Sequence, residues 1–530
     1  MIDISLSKVN KSYGFDKVLN DINLTIKKGE KVAIIGSNGV GKSTILKIIC
    51  KEENINSGNV SIRTCATVGM LSQEVIQLNI KVKDYIYDTF KDLISKKEKL
   101  SKLVPYLDQE KILNKYLKLQ DEFIRLGGYE FESRISKVLA AFEINEAMLE
   151  RNLCTLSGGE RTICSLVRLL LISPDILILD EPTNHLDLKR IEWLENYLKS
   201  YKGTVVVVSH DRYFLDKVVN KVILLTKRGI EEYFGNYTYF IKENENRIML
   251  EFKKYKDQQK IITSMKKSIK RLQEYGRLCG DSGGEIFYRR AASIQKRLDK
   301  IEKLDRPIEK SSINIDFNGD NRSGKEVLSI KDFNFSFNDK NLFDNCNLDI
   351  FYQEKICIIG ENGSGKSTLI KEILKGNSNI KLGSNIKIGY IPQVILFEDD
   401  NLSVLEEARK YFIGEEQYLR STLYKFLFTG ENVYKKVKFL SGGERVRLKL
   451  FCLIQNKYNF LILDEPTNHI DIDTREILEK ALIDFNGTIL FVSHDRYFIN
   501  ALATHIVILK DNKLTKYIGN YDEYVLKYSG

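Results

Sequence analysis

The chain repeats itself, and this limits how it can fold more than any other property. Gly36-Ser37-Asn38-Gly39-Val40-Gly41-Lys42-Ser43-Thr44 returns as Gly360-Glu361-Asn362-Gly363-Ser364-Gly365-Lys366-Ser367-Thr368, 324 residues later. Leu156-Ser157-Gly158-Gly159-Glu160 returns at Leu440, Leu179-Asp180-Glu181-Pro182-Thr183-Asn184-His185 at Leu463, and Ser209-His210-Asp211-Arg212-Tyr213-Phe214 at Ser493, each 284 residues on. Recurrence of both motifs and spacings requires two copies of one domain. At roughly 100–200 residues per domain, a chain of this length holds both copies with room to spare. The offset is already 320 between Gln73 and Gln393, so about 36 extra residues lie between Gln73 and Leu156 of the first copy.

Within that insertion, residues 84–127 read as charged helix. Lys96, Lys97, Lys99 and Lys102 are interleaved with leucines, and Ile112, Tyr116, Leu119 and Phe123 follow at helical spacing. The pattern predicts a helical hairpin arm, with a longer helical subdomain of the first copy as the alternative. Residues 241–325 belong to neither copy. Their apolar positions Ile248, Phe252, Tyr255, Ile262, Met265, Ile269 and Leu272 trace a heptad seam, which a Gly-rich stretch from Gly276 to Gly284 breaks and Ala291, Ile294, Leu298 and Ile301 resume. Two antiparallel helices are expected, with a tip at about 273–290. The predicted domains are 1–240, 241–325 and 326–530.

Each Gly-rich segment fits G-x-x-x-x-G-K-[ST] and lies between an apolar strand and a helical run, as from Val32 to Ile35 and from Thr44 to Ile49. Backbone N–H groups of such a loop wrap phosphates at a helix N-terminus. Lys42 and Lys366 would neutralise the β- and γ-phosphates, and Ser43 and Ser367 would ligate Mg²⁺. The apolar run Ile176 to Leu179 predicts a buried parallel strand that delivers Asp180 and Glu181 at its carboxyl edge, and Asp464 and Glu465 repeat the pair. The aspartates are expected to hold Mg²⁺ through its water shell and the glutamates to polarise the attacking water. Four of the five histidines fall at repeated positions, and His210 and His494 each follow an apolar strand and a serine, within reach of a γ-phosphate.

Of the net charge of +10, residues 241–310 alone supply +8, from 19 Lys and Arg against 11 Asp and Glu. Charge concentrated in this way points to an anionic partner, with nucleic acid foremost. Eight scattered cysteines without C-x-x-C argue against zinc ribbons and a disulfide framework. No apolar run approaches the roughly 18–20 residues that a membrane span needs. The first ten residues lack the apolar core of a secretory signal, so a cytoplasmic location is expected.

Leu-Ser-Gly-Gly-Glu opening a helix resembles the signature of ATP-binding cassette ATPases. With two cassettes, a basic helical linker, PTNHLD and PTNHID, and KRLDKIEKLDRP in that linker, the chain is similar over essentially its whole length to the ABC-F proteins. The resemblance implies an α/β fold class: two tandem P-loop ATP-binding cassette domains joined by a long antiparallel α-helical hairpin linker, with ATP and Mg²⁺ as cofactors. It implies that Ser157 and Gly159 complete the Lys366 site and that Ser441 and Gly443 complete the Lys42 site. Gln73 and Gln393 would lie near Mg²⁺. Tyr13 and Phe337, each 23 residues before its loop, would stack on adenine, core packing being the other reading of their spacing.

The resemblance further implies an ATP hydrolase acting on the 70S ribosome at the tRNA exit site. Its linker would meet rRNA and P-site tRNA near the peptidyl transferase centre, and its arm would touch the stalk beside that site. Such a protein works without a membrane, as a monomer whose cassettes pair within one chain. Tyr275, Leu278, Ile286, Phe287 and Tyr288 at the tip, with a Lys-, Ile- and Asn-rich composition, point to the antibiotic-resistance (ribosomal protection) branch. A housekeeping translation factor is the alternative within the family. The rival from another class, the ATPase subunit of an importer, has no need of a basic coiled coil.

Overall fold

The computed structural model describes residues 1–72, 79–184, 186–226, 229–278, 284–302, 304, 322–337, 340–456, 458–468, 470 and 472–528. The chain divides into two compact units, one of Met1–Asn236 with Ile313–Gly530 and one of Tyr237–Ser312.

In the first unit the strands of the first cassette are β1 (Ile2–Tyr13), β2 (Asp16–Lys27), β3 (Lys31–Ile35), β4 (Ser57–Ile62), β5 (Val68–Leu71), β6 (Ile176–Asp180), β7 (Thr204–Val208), β8 (Lys221–Thr226) and β9 (Gly229–Phe234). The main sheet has the order β5-β6-β7-β3-β8-β9, parallel except for the β8–β9 hairpin. Its inner strands are apolar without alternation, and every residue of β6 and β7 is buried, because both faces of a parallel sheet are covered. A small antiparallel sheet, β2-β1-β4, shares a core with one face of it. Ile4, Leu6 and Leu24 meet Val32, Ile34, Ile178 and Val206 there, together with Ile45 and Leu46 of the helix Lys42–Ile49.

The second cassette repeats this plan with β10 (Glu326–Phe337), β11 (Lys340–Phe351), β12 (Lys355–Gly360), β13 (Ile380–Leu382), β14 (Ile388–Ile391), β15 (Phe460–Asp464), β16 (Thr488–Val492), β17 (His505–Lys510) and β18 (Lys513–Ile518). Its sheets run β14-β15-β16-β12-β17-β18 and β11-β10-β13. Alternate residues of β12 enter different cores: Ile356 and Ile358 join the small-sheet side, and Cys357 joins the helical side.

The insertion of the first copy forms the helices Lys91–Leu103 and Glu110–Arg125, tied by a Lys96–Glu122 ion pair at 3.0 Å. Phe123 is buried, with Tyr129 edge-on at 5.3 Å.

The second unit pairs the 42-residue helix Tyr237–Leu278, about 63 Å long at ~1.5 Å per residue, with Gly284–Asp299. Ile262, Ile269, Ala291 and Leu298 form its core, flanked by Met265, Leu272, Ile294 and Ile301, while Ile248, Phe252 and Tyr255 lie outside that cluster. The heptad seam is thus used over its tip-proximal half.

Helix extends further into the expected tip than the Gly-rich composition suggests, covering Gln273–Leu278 and Gly284–Arg290, and Gly280 and Gly283 lie outside the described residues. Gly276 and Gly284 serve close helix packing there. A Cβ on Gly276 would stand 2.8 Å from the Tyr288 ring, and one on Gly284 would stand 2.6 Å from the Gly276 carbonyl oxygen. Among the described residues no helix is long and apolar enough to cross a membrane, and the seven described cysteines are free thiols.

Candidate functional site: two nucleotide clefts between the cassettes

The carboxyl edge of each main sheet gathers the repeated motifs, because β3, β6 and β7 are neighbours, as are β12, β15 and β16. β3 runs into the loop Gly36–Gly41, and the helix Lys42–Ile49 follows at once. Gly41 has φ 108° and Gly365 φ 110°, backbone that side chains rarely adopt, and a Cβ on Gly41 would meet Leu19 and Val18 at 2.8 Å. Lys42 Nζ donates to the carbonyl oxygens of Gly36 (2.8 Å) and Ser37 (3.1 Å), and Lys366 Nζ to those of Gly360 (2.7 Å) and Glu361 (3.0 Å). Both ammonium groups are therefore held across the mouth of the loop, where phosphate oxygens would replace the carbonyls.

Asp180 and Glu181 end β6. Glu181 at φ 51° and Glu465 at φ 48° both occupy the left-handed region, a strain that the N–H bonds to Val208 O (2.8 Å) and Val492 O (3.0 Å) help to hold. Glu181 Oε2 accepts the His210 backbone N–H at 3.2 Å, and its Oε1 lies 3.5 Å from His210 Nε2. In the second copy Glu465 Oε1 lies 3.3 Å from His494 Nε2.

Burial, reinforced by the charge of Asp180, pushes Glu181 up to about 8. Burial raises Glu465 to about 7 against the opposing pull of Lys366. Burial lowers His494 to about 3, with Lys366 adding to the effect, so its imidazole is neutral at pH 7. Asp180 and Asp464 are likewise raised by burial, and a hydroxyl hydrogen bond from Ser43 or Ser367 opposes each shift. Ser367 Oγ donates to Asp464 Oδ1 at 3.1 Å.

One cleft gathers the groups of the first copy together with His494, and a second borders the P-loop of the second copy without being lined by Lys366, Ser367, Asp464 or Glu465. The first, of about 450 Å³, is lined by Tyr13, Lys42, Ser43, Asp180, Glu181 and His210 and, from the second cassette, by Thr467, Asn468, Arg475, His494 and Asp495. The second, of about 530 Å³, sets Gly360–Ser364 opposite Asp187, Leu188 and Lys189 of the first cassette. Lys189 pairs there with Glu361 at 3.6 Å.

Ser157 and Gly159 do not line the second cleft, nor Ser441 and Gly443 the first. The two serines cap the helices Gly158–Ile172 and Gly442–Gln455 in capping boxes with Glu160 and Glu444. A motif reveals that such a helix N-terminus exists, whereas its distance from the opposite P-loop depends on how the subdomains pack.

Tyr13 is 48% exposed with Lys11 5.0 Å over its ring, and Phe337 is 61% exposed, so neither is a core residue; only Tyr13 lines a cleft. Gln393 is exposed just past β14, and Gln73, His185 and His469 lie outside the described residues.

Sequence reasoning missed the groups that join the cassettes. Arg496, fully buried, donates both Nη atoms to the Glu195 carboxylate across the interface and lies 4.2 Å over the Tyr213 ring. Arg212 pairs with Glu479 at 3.2 Å, and Tyr213 meets Tyr497 edge-on at 5.9 Å. The repeat relates Arg212 to Arg496 and Glu195 to Glu479, so the offset of 284 could have marked both pairs. It could not have shown that each arginine reaches the other copy's glutamate.

Two P-loop sheets with Asp-Glu strand ends, facing each other across shared clefts, define a P-loop nucleotide hydrolase of the cassette type. A family model described as ABC transporter matches residues 19–184 and 343–468, and a second with the same description matches 223–317. The chain is 37% identical to "Putative ATP-binding protein YdiF" of Bacillus subtilis, over 99% of its length and 83% of that protein. It is 34% identical to "ABC transporter F family member 5" of Arabidopsis thaliana, over 99% and 77%. Among solved structures, "RNase-L Inhibitor" aligns over 98% of this chain and 92% of its own at TM-score 0.61 and 18% identity. An archaeal complex of ribosomal stalk protein aP1 with ribosome recycling factor aABCE1 aligns over 94% and 87%, also at 0.61, with 19% identity. The chain belongs to the two-cassette ABC ATPases and is related to the ABC-F proteins; it binds and hydrolyses ATP.

Proposed function

We propose that the chain is a translation ATPase that binds the ribosome and couples two ATP sites to a basic helical hairpin. The observation that carries this is the concentration of charge in the hairpin. Of the net +10, residues 241–310 hold +8, and Lys256, Lys260, Lys267 and Arg271 share one exposed face of the long helix with Thr263, Ser264 and Ser268. Such a face suits rRNA phosphates. Relatives named for the F family, and a likeness in fold to a ribosome recycling factor, support the same reading.

Lys42 and Lys366 bind the phosphates. Ser43 with Asp180, and Ser367 with Asp464, form small oxygen sets that fit Mg²⁺, which would screen the phosphate charge. Among the described residues no cluster of three or more His, Cys, Asp or Glu side chains offers an alternative metal site. Glu181 and Glu465 orient and polarise the attacking water, with His210 and His494 beside them. Ser441 and Gly443, Ser157 and Gly159 reach the opposite phosphate when the clefts close, and Tyr13 and Phe337 offer open ring faces to adenine.

In the finer reading, the hairpin enters from the tRNA exit site towards the peptidyl transferase centre and its tip decides the output. Leu278 at 81% and Ile286 at 60% exposure are apolar groups free to reach a partner there. Protection of the ribosome from peptidyl-transferase antibiotics is the proposed output, and general support of translation is the alternative.

Glu181→Gln with Glu465→Gln should hold ATP, lose turnover and co-sediment with 70S ribosomes in ATP. Sedimentation with membranes instead would reject the assignment. Expression in a susceptible host on a panel of such antibiotics then separates the outputs, protection requiring raised resistance that Phe287→Ala with Tyr288→Ala removes.

A further inference from the structure

One of the positions at which the two copies differ places a buried cation at the Lys42 cleft. Arg475, on the helix Ile472–Ile483 of the second cassette, is 5% exposed and lines the Lys42 cleft. Its Nη1 donates to the main-chain oxygen of His210 in the first cassette at 2.6 Å and lies 2.6 Å from Asp495 Oδ2, and its Nη2 donates to Thr467 O at 3.2 Å. One guanidinium thus ties the loop that carries His210 to two fixed points of the opposite cassette. One is the turn after β15, and the other is the aspartate whose Oδ1 caps the helix Arg496–Leu502. Its charge also acts on Glu181.

At the offset of 284 the first copy carries Ile191, a buried aliphatic side chain with no donor to offer. The main charges acting on Glu465 come from Lys366, Asp464 and Asp495 of its own cassette. The interface arginines do not share this asymmetry, since Arg212 and Arg496 are both present and both paired. A planar fork that holds two carbonyls and a carboxylate is a geometry lysine cannot copy.

We infer that Arg475 is a positioning residue chiefly for hydrolysis at the Lys42 site, fixing from the second cassette the loop that presents His210 beside Glu181. The two ATP sites are therefore unequal by construction. The Lys42 site is assembled only when the second cassette is docked, and the Lys366 site receives no such support from Ile191. The inference rests on the reading of both clefts as ATP sites whose attacking water Glu181 and Glu465 polarise.

The test measures ATPase kinetics of full-length protein with one site silenced. In a Glu465→Gln background, Arg475→Ile should lower kcat about tenfold, the loss expected for a hydrogen bond to a charged donor, with KM for ATP nearly unchanged. In a Glu181→Gln background the same substitution should lower kcat far less, since Arg475 meets the Lys366 site only indirectly, through Asp495 and Thr467. Arg475→Lys, which keeps the charge but not the fork, should recover only part of the first loss. Equal losses in both backgrounds, no loss in either, or full recovery by lysine would each overturn the inference. The Glu181→Gln, Glu465→Gln double variant is the control for the underlying reading. If it still turns over ATP, the glutamate assignment has failed, and Lys42→Ala and Lys366→Ala silence the sites for the same comparison. If Arg475→Ile destabilises the protein, Arg475→Gln, which keeps a donor without the charge, is compared across the same two backgrounds.

Discussion

Replacing Arg496 with Met removes one half of a buried ion pair between the cassettes. Arg496 is 0% exposed and Glu195 2%. Without the guanidinium, the Glu195 carboxylate keeps, among the described residues, Lys217 at 3.3 Å, whose side chain is 36% exposed. Breaking a buried pair from one side costs roughly 3–5 kcal/mol; the half-exposed Lys217 trims this, and the missing stacking on Tyr213 adds about 0.5–2 kcal/mol. A net cost of about 3 kcal/mol shifts melting by roughly 6–12 °C for a cassette of about 200 residues. Calorimetry should show that drop for Arg496→Met. Part of it should return in Arg496→Met with Glu195→Leu, because Glu195 is then no longer a buried unpaired charge, while Asp211 still loses the pull of Arg496. The matched pair Arg212–Glu479 has side chains 11% and 14% exposed, so Arg212→Met should cost less, about 1–2 kcal/mol. A shift below 2 °C for Arg496→Met, or no rescue by Glu195→Leu, would refute the reasoning.

Burial raises Asp211 from 3.8 to about 6, against the pull of Arg496. A carboxyl raised on folding contributes stability that is complete below its unfolded value near 3.8 and is lost as pH rises through about 6. Melting of the nucleotide-free protein should therefore fall over that window, and Asp211→Asn, which keeps the helix cap, should flatten the fall. Gly276→Ala drives a Cβ into Tyr288 at 2.8 Å. It should loosen the hairpin by about 1–3 kcal/mol, read as faster proteolysis of residues 237–302, and Tyr288→Ala should suppress the effect. Converting Lys256, Lys260, Lys267 and Arg271 to Gln should reduce the salt slope of ribosome binding by about 0.7–0.9 for each phosphate no longer neutralised; an unchanged slope would mean that the rRNA meets another face of the protein.

Much of the protein could be read directly from the chain. The register of the repeat, the P-loops and the Asp-Glu strand ends depend on local chemistry: glycines where a side chain would collide with Leu19 and Val18, an apolar run for a strand covered on both faces, a charge where the strand stops. The heptad positions from Ile262 to Leu272 found their partners from Ala291 to Ile301 for the same reason, since period and burial are properties of the segment itself.

What the tertiary structure alone decided is which copy each side chain serves. Arg496 and Arg212 each cross to the other cassette's glutamate. Arg475 reaches the loop of a histidine 265 residues away, and its counterpart Ile191 cannot. Gly276 and Gly284 read as a break in the heptad seam and prove to be room for a tyrosine and a neighbouring backbone. The signature serines announce helix N-termini, yet they line neither cleft. Duplication gives the two halves the same motifs in the same order. Packing, where a single buried cation is worth several kcal/mol, turns a substitution between them such as Ile191 against Arg475 into a difference between the sites.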